Sequence, residues 1–209
     1  MIVTLSYIYC NPLCCIEKEG VAIVGLSLKF PSSINSLDDL RRTIISKNCV
    51  TGAKIPYERW DVDKISSRIK RDEHWDAALT RSLQYGSFVD GLNNFDPAYF
   101  NLSTEEAAVM DPNLRLLFET VELALKKDNL ELEDSVDSHT SLFVAMSNNE
   151  IHSVPGCGFQ RKDADVHTSG ALASVASKIS NHYLWKGSSM VIDAACASSL
   201  VALHEACGT

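Results

Sequence analysis

One cysteine stands where the sequence pattern changes from a strand to a helix. Residues 189–193 form an apolar, β-rich run that predicts a buried strand, and the small residues after it predict a helix that continues to the end of the chain. Cys196 lies at this junction, so a sharp turn there would lift its side chain out at the end of a sheet. At a helix N-terminus the macrodipole and the free backbone N–H groups favour the thiolate, the nucleophilic form of cysteine.

The surroundings of Cys196 suit acyl transfer. Its neighbours are alanines and serines, whose small side chains let a substrate approach the backbone closely. The N–H groups of such a turn can stabilise the oxyanion that forms when a thiolate attacks an acyl carbon. The pattern therefore indicates acyl transfer through a thioester on Cys196. The local pattern taken alone favours an alternative interpretation of Cys196. A lone cysteine among alanines is more often a small buried hydrophobic residue.

The other cysteines indicate no further site. The chain has seven cysteines, an odd number, and no secretion signal, so we expect reduced thiols rather than a disulfide framework. Cys10, Cys14 and Cys15 lack the C-x-x-C spacing of zinc ligands and have no nearby histidine, which makes a zinc site the minority interpretation. Asp193 ends the predicted strand. We expect it to cap the turn rather than to act as a catalytic acid, since nothing pairs it with a base.

The elements that must position Cys196 follow from hydrophobic periodicity. Strands are predicted at 21–25, 141–146 and 189–193, and helices at 37–47, from 103, from 111 to about 127, at 169–184 and from 194 onward. Residues 50–80 show little periodicity and are predicted to be a surface excursion with at most one helical turn. Residues 1–20 show no clean period, so we interpret them as an extension outside the fold and residues 21–209 as the folded portion. Strands that alternate with helices indicate a layered α/β fold.

Two helix starts are marked by their capping residues. Ser103 with Glu106 three residues later forms a capping box. Asp111 before Pro112 suits an N-cap followed by the first helical position. The helix that starts there places five apolar residues on one face, which are Leu114, Leu117, Phe118, Val121 and Leu125.

Composition and charge exclude several classes of function. The chain has 209 residues, of which 45% are hydrophobic and 22% charged, as in an ordinary folded domain. Its 19 Lys and Arg against 27 Asp and Glu give a formal net charge of −8, and without a basic stripe such a chain is not expected to bind nucleic acid. No apolar run approaches the roughly 18 residues of a membrane span, and the N-terminus lacks the features of a signal peptide. We therefore expect a cytoplasmic protein that does not bind a membrane.

The segment around Cys196 resembles a known signature. Residues 193–204, D-A-A-C-A-S-S-L-V-A-L-H, resemble the active-site signature of β-ketoacyl synthases, specifically the ketosynthase domain of type I polyketide synthases and related fatty acid synthases. The resemblance covers about residues 21–207. Further blocks agree in the same order: V-A-I-V-G at 21–25 with Phe30-Pro31, P-Y-E-R-W-D at 56–61, F-D-P-A-Y-F at 95–100, Ser103 through Glu106, and Met110-Asp111-Pro112.

The resemblance implies a fold, a nucleophile and a reaction. The fold would be thiolase-like, a layered α/β structure of two similar halves, of which these residues form the N-terminal half. Cys196 would accept an acyl chain from the phosphopantetheine arm of an acyl carrier protein. In the family that thioester is condensed with a malonyl-type extender after decarboxylation. Such ketosynthases are typically homodimers without a metal or bound redox cofactor, so we expect a homodimer and neither of those groups.

The sequence departs from the family pattern at three positions near these blocks. The family commonly has Thr where this chain has Ala194, and Ser where it has Ala197. Both residues are small, so the turn is expected to survive, although a hydroxyl is lost at each. Asn113 replaces the usual Gln after Met-Asp-Pro, which is a mild change.

The family's two catalytic histidines lie in H-G-T-G-T and K-x-x-x-G-H blocks downstream of the cysteine, and neither block occurs up to Thr209. We therefore expect these residues alone to be unable to complete condensation, because the extender enolate lacks its hydrogen-bond donors. The alternative is a non-condensing acyl acceptor or an inert interaction module made by a truncated gene. His204 is interpreted as structural. The six histidines match neither block, and they are His74, His139, His152, His167, His182 and His204.

Overall fold

The computed structural model describes residues 5–9, 21–48, 52–69, 77–126, 139–147 and 172–208. The chain divides into two compact units, one of Met1–Leu28 with Leu92–Thr209 and one of Lys29–Gly91. The strands are β1 (Leu5–Tyr9), β2 (Ala22–Ser27), β3 (Ala53–Lys54), β4 (Tyr85–Gly86), β5 (Leu142–Ala145) and β6 (Ser189–Ile192). The α-helices are α1 (Leu37–Ser46), α2 (Val62–Ile69), α3 (Ala77–Ser82), α4 (Thr104–Val109), α5 (Pro112–Lys126), α6 (Leu172–His182) and α7 (Ser198–Gly208).

The first unit contains one parallel and one antiparallel pair of strands, and helices pack on both pairs. β5 and β6 are parallel neighbours, with Leu142 opposite Ser189 and Ala145 opposite Ile192. β1 and β2 are antiparallel, with a bulge at Tyr7 and Ile8. Helices α6 and α7 contact both β5 and β6, and α5 contacts β1 and β2. This arrangement of helices on strands is the layered α/β architecture that the sequence pattern predicts.

The predicted apolar face of α5 forms the centre of the hydrophobic core. All five of its predicted residues are buried, and Val121 has no exposed surface. They share one cluster with Leu142 and Val144 of β5 and with Val175 and Ile179 of α6. Fully burying a side chain of this size contributes about 1.5–3 kcal/mol, so this cluster holds β5 and α6 in place.

The predicted capping residues are confirmed by their hydrogen bonds. The Ser103 hydroxyl accepts the N–H of Glu106 at 3.1 Å, and the Glu106 carboxylate accepts the N–H of Ser103 at 2.9 Å, which completes the capping box. The Asp111 carboxylate accepts the N–H of Asn113 at 2.7 Å, at the start of α5. Short-range capping thus sets where α4 and α5 begin.

The N-terminal residues include one strand that the sequence analysis does not predict. Residues 5–9 form β1 and pair with β2. The division between an extension at 1–20 and a fold from 21 stays a prediction. The strand predicted at 21–25 corresponds to β2, but Val21 and Ile23 are exposed, whereas a continuous apolar run is typical of a strand that is covered on both faces. An apolar run alone does not show which distant elements of the chain pack against the strand and bury it.

The second unit contains more regular structure than predicted. Residues 50–80, expected to hold at most one helical turn, include β3, α2 and the start of α3, so that expectation is wrong. The Asp61 carboxylate accepts the N–H of Lys64 at 3.0 Å and caps α2. These helices have only eight and six residues, too few for periodicity to show clearly. The predicted helix α1 is present, but Ile44 and Ile45 are exposed.

A buried carboxylate links α5 to the residues around it. Glu122 accepts hydrogen bonds from the hydroxyls of Tyr99, at 2.5 Å, and Tyr183, at 2.8 Å, and pairs with Lys126 at 3.2 Å. Burial alone raises the pKa of Glu122, but the hydrogen bonds from these three residues outweigh it and the pKa lies below its ordinary value. Burial, and then the bond to Glu122, raises the pKa of Tyr183. The network therefore favours an ionised glutamate.

We expect Glu122→Gln to lower the free energy of unfolding at pH 7 by about 1.5–3 kcal/mol, the typical value of hydrogen bonds to a charged group. Because the pKa of Glu122 is lowered in the folded protein, its stabilisation is present above the ordinary value of 4.5 and is lost as the pH falls through the lower folded value. Urea unfolding between pH 3 and 7 should show the variant and the wild type converging in acid. The exposed Glu105→Gln is the control, and equal effects of both substitutions would contradict this assignment.

We expect Gly187→Ala to destabilise the protein because the turn before β6 has no room for a side chain. The Gly187 N–H donates to the Thr140 carbonyl at 3.1 Å, and a Cβ there would lie 2.5 Å from that carbonyl group. Overpacking of this kind costs about 1–3 kcal/mol. Gly208→Ala is the matched control, since nothing lies within 4 Å of its added Cβ. Thermal unfolding should separate the two variants, and equal midpoints would show that the turn relaxes freely.

Candidate functional site

The candidate nucleophile lies at the carboxyl end of a strand. β6 ends at Ile192, and after two residues the chain enters a 3₁₀ turn, Ala195–Ala197, that leads directly into α7. Cys196 is the middle residue of this turn and its side chain is exposed. The alternative of a small buried hydrophobic residue is therefore wrong for Cys196. Ligand sites in parallel α/β sheets lie at this edge, so the thiol is placed where a substrate can reach it.

The turn contains an unusual backbone conformation immediately before Cys196. Ala195 has a φ of 50°, in the left-handed region that residues other than glycine seldom adopt. The Asp193 carboxylate accepts the N–H of Ala195 at 3.1 Å, which confirms that Asp193 caps the turn. The Ala197 N–H donates to the Ala194 carbonyl at 3.0 Å. A strained turn between a strand and a helix, with a cysteine exposed on it, is similar to the arrangement called a nucleophile elbow.

Ser198 is the residue of this site that the sequence analysis missed. It is buried, with 5% of its surface exposed, although the residues on either side of it are exposed. Its hydroxyl accepts the N–H of Ala194 at 2.8 Å and donates to the Ala195 carbonyl at 2.8 Å. In the sequence it is one of two adjacent serines. Only the register of α7 against the strands shows which of the two is buried.

A second strand contributes to the same edge. Ser147 follows β5, and its hydroxyl oxygen lies 3.5 Å from that of Ser198. Because β5 and β6 run parallel, their carboxyl ends meet at one edge of the sheet, and this proximity is the expected consequence. The turn that carries Cys196 is therefore fixed to both strands.

Among the described residues no hydrogen bond joins a histidine to Cys196. His204 is exposed on α7, eight residues beyond the cysteine and therefore roughly 12 Å along a helix axis. His182 packs among aromatic rings, 5.2 Å from Phe118 and 4.8 Å from Tyr183 between ring centres. Burial lowers the pKa of His182. His139 is exposed, and the remaining histidines, His74, His152 and His167, lie outside the described residues.

The structure describes only some of the other cysteines and possible metal ligands. Cys196 and Cys207 are free and exposed. In the described ranges no three His, Cys, Asp or Glu side chains gather as metal ligands would. The minority zinc interpretation concerns Cys10, Cys14 and Cys15, which lie outside those ranges. No helix in the described part of the chain has the length and apolar composition needed to cross a membrane.

Comparison with known protein families agrees with this geometry. The sequence model described as "Beta-ketoacyl synthase, N-terminal domain" matches residues 18–209. The reducing polyketide synthase ppsB of Aspergillus oryzae is 32% identical over 190 residues, which are 90% of this chain and 8% of that protein. Polyketide synthase PksR of Bacillus subtilis is 32% identical over 188 residues, which are 90% of this chain and 6% of that protein. The chain thus spans less than a tenth of the length of these relatives.

Solved structures show the same likeness. The ketosynthase from module 6 of the bacillaene synthase of Bacillus subtilis has a TM-score of 0.67 and 25% identity, over 88% of this chain and 29% of that one. The oxazolomycin ketosynthase domain OzmH KS7 of Streptomyces albus has a TM-score of 0.68 and 24% identity, over 88% of this chain and 30% of that one. These similarities confirm the predicted thiolase-like α/β fold. The chain therefore belongs to the β-ketoacyl synthase family and contains its N-terminal domain.

Proposed function

We propose that this chain carries the acyl-accepting step of a polyketide ketosynthase, with Cys196 as the nucleophile. The observation that carries the proposal is the exposed Cys196 thiol on a strained turn at the carboxyl edge of the β5–β6 pair. Family membership places polyketide synthases among its relatives. The reaction class is that of an acyltransferase of the 3-oxoacyl synthase type.

In the proposed step the Cys196 thiolate attacks the carbonyl carbon of an incoming acyl thioester. A carbon–sulfur bond forms to Cys196, and negative charge develops on the carbonyl oxygen. The intermediate collapses with cleavage of the bond to the phosphopantetheine sulfur, which leaves as a thiolate and takes up a proton. No electrons are exchanged with an outside reagent, so the step is a balanced thioester exchange.

The candidate donor for the developing charge is the backbone N–H of Cys196 itself. The N–H groups of Ala194, Ala195 and Ala197 are taken by bonds within the turn. The Cys196 N–H belongs to the same 3₁₀ turn and lies beside the thiol. A fixed donor beside the nucleophile supports the stabilisation of an oxyanion, an interaction that typically contributes several kcal/mol to a transition state.

We propose further that the acyl group arrives on the phosphopantetheine of an acyl carrier protein and is condensed with a malonyl-type extender. Condensation needs donors for the extender enolate, and in the family these are the histidines of the H-G-T-G-T and K-x-x-x-G-H blocks, which do not occur in residues 1–209. The part of the reaction assigned to these residues is therefore acylation. No metal or bound redox cofactor takes part in this proposal.

We expect Cys196→Ala to abolish acylation. Incubation with an acyl-phosphopantetheine thioester should add one acyl mass to the wild-type protein, measured by intact mass spectrometry, and peptide mapping should place it on Cys196. Cys207→Ala is the matched control because Cys207, which lies in α7, is also free and exposed, and this variant should acylate as the wild type does.

The outcomes of this experiment separate the candidate functions. An unchanged mass in folded wild-type protein, shown by a cooperative unfolding transition, would exclude the nucleophile role and leave the inert interaction module. Acyl groups distributed equally over Cys196 and Cys207 would indicate general thiol reactivity instead of a site. Stable acylation on Cys196 without condensation is the expected result for these residues.

We also propose that the protein is a homodimer, as ketosynthases of this family typically are. Sedimentation equilibrium at micromolar concentration should give twice the monomer mass of 23.0 kDa. The Cys196→Ala variant should also be a dimer, because the substitution removes only a thiol on an exposed turn. A monomer at all concentrations tested would contradict the assignment of the dimer to these residues.

A further inference from the structure

We propose that Ser198 is the positioning residue of the nucleophile: its buried hydroxyl holds the preceding backbone in the conformation in which Cys196 accepts an acyl group. This inference rests on the proposed function of Cys196. Ser198 itself is not assigned a contact with the substrate.

The burial pattern of the turn first sets Ser198 apart. Cys196, Ser199 and Leu200 are exposed, and Leu200 exposes 72% of its surface, whereas Ser198 exposes only 5%. A buried hydroxyl costs free energy unless it is hydrogen-bonded. The position therefore requires partners for the Ser198 hydroxyl, and the structure places them within the turn.

The hydrogen bonds of Ser198 fall on both sides of the strained residue. Its oxygen accepts the N–H of Ala194, and its own hydrogen is donated to the Ala195 carbonyl, both at 2.8 Å. Ala195 is the residue with a φ of 50°, so the two bonds clamp the peptide units that precede Cys196. The Ser147 hydroxyl, 3.5 Å away, connects this clamp to the end of β5.

An ordinary helix cap would not act on the nucleophile in this way. A capping serine such as Ser103 accepts an N–H that follows it in the helix. Ser198 instead bonds backward to the N–H four residues before it and the carbonyl three residues before it. Loss of its hydroxyl therefore releases the backbone immediately before Cys196, and a displacement there changes how the thiol meets the acyl carbon.

The test compares Ser198→Ala with Ser198→Thr, which retains the hydroxyl, and with Ser199→Ala, which removes an exposed one. Rapid-quench intact mass spectrometry with an acyl-phosphopantetheine thioester gives an amplitude, the fraction of protein that can be acylated, and a rate constant for that fraction. We expect Ser198→Ala to lower the maximal rate constant by about 10- to 100-fold, the effect of a misplacement of about 1 Å. Its amplitude and half-saturating thioester concentration should stay near those of the wild type.

The remaining variants decide whether the hydroxyl is responsible. Ser198→Thr should recover the rate constant to within about threefold of the wild type, since the O–H that makes both bonds is retained, and Ser199→Ala should match the wild type. A Ser198→Ala variant that loses amplitude with an unchanged rate constant, or that does not fold, would make Ser198 a structural residue and overturn the inference. If wild-type protein is not acylated on Cys196, the proposed function fails instead, and the two failures are thereby distinguished.

Discussion

The burial of the apolar face of α5 is the contact on which the candidate site depends. That face joins β5 and α6 in one hydrophobic cluster, and β5 in turn sets the position of β6 by parallel pairing. The core therefore fixes the carboxyl end of β6 through β5, although Cys196 itself is exposed. A cysteine on such a scaffold keeps its geometry, because only a short, hydrogen-bonded turn separates it from the strand.

The turn balances a strained residue against its own hydrogen bonds. A left-handed residue other than glycine costs about 1–3 kcal/mol, and Ala195 carries that cost. Four hydrogen bonds oppose it, made by the Asp193 carboxylate, by the Ala194 carbonyl and twice by the Ser198 hydroxyl. Each such bond contributes about 0.5–1.5 kcal/mol net, so together they suffice to hold the conformation. Strain that is retained in this way is characteristic of functional sites.

The sequence predicts those features of the fold that depend on neighbours close in the chain. The capping box of α4 and the apolar face of α5 follow from spacings of three and four residues, and both are confirmed. The sequence does not predict β1 or the exposed start of β2, because both depend on how distant strands pair. It also misses α2, which has too few residues to show a helical period. For the site, the local pattern predicts that Cys196 lies at a strand-to-helix junction, but on its own it favours a buried side chain, whereas the thiol is exposed. The contacts of Ser198 depend on the register of α7 against β5 and β6, which no local pattern contains.

The departures from the family signature leave this turn intact, and the reason lies in which atoms make its bonds. Where the family commonly has Thr and Ser, this chain has Ala194 and Ala197, so two hydroxyls are absent. Ala194 takes part through its backbone N–H and carbonyl, and Ala197 through its N–H. Both side chains are exposed, so a methyl group there leaves no buried polar partner unsatisfied. The only buried hydroxyl among residues 193–200 is that of Ser198, and it is retained. Alanine at these two positions is therefore compatible with the hydrogen-bonded backbone conformation that presents Cys196.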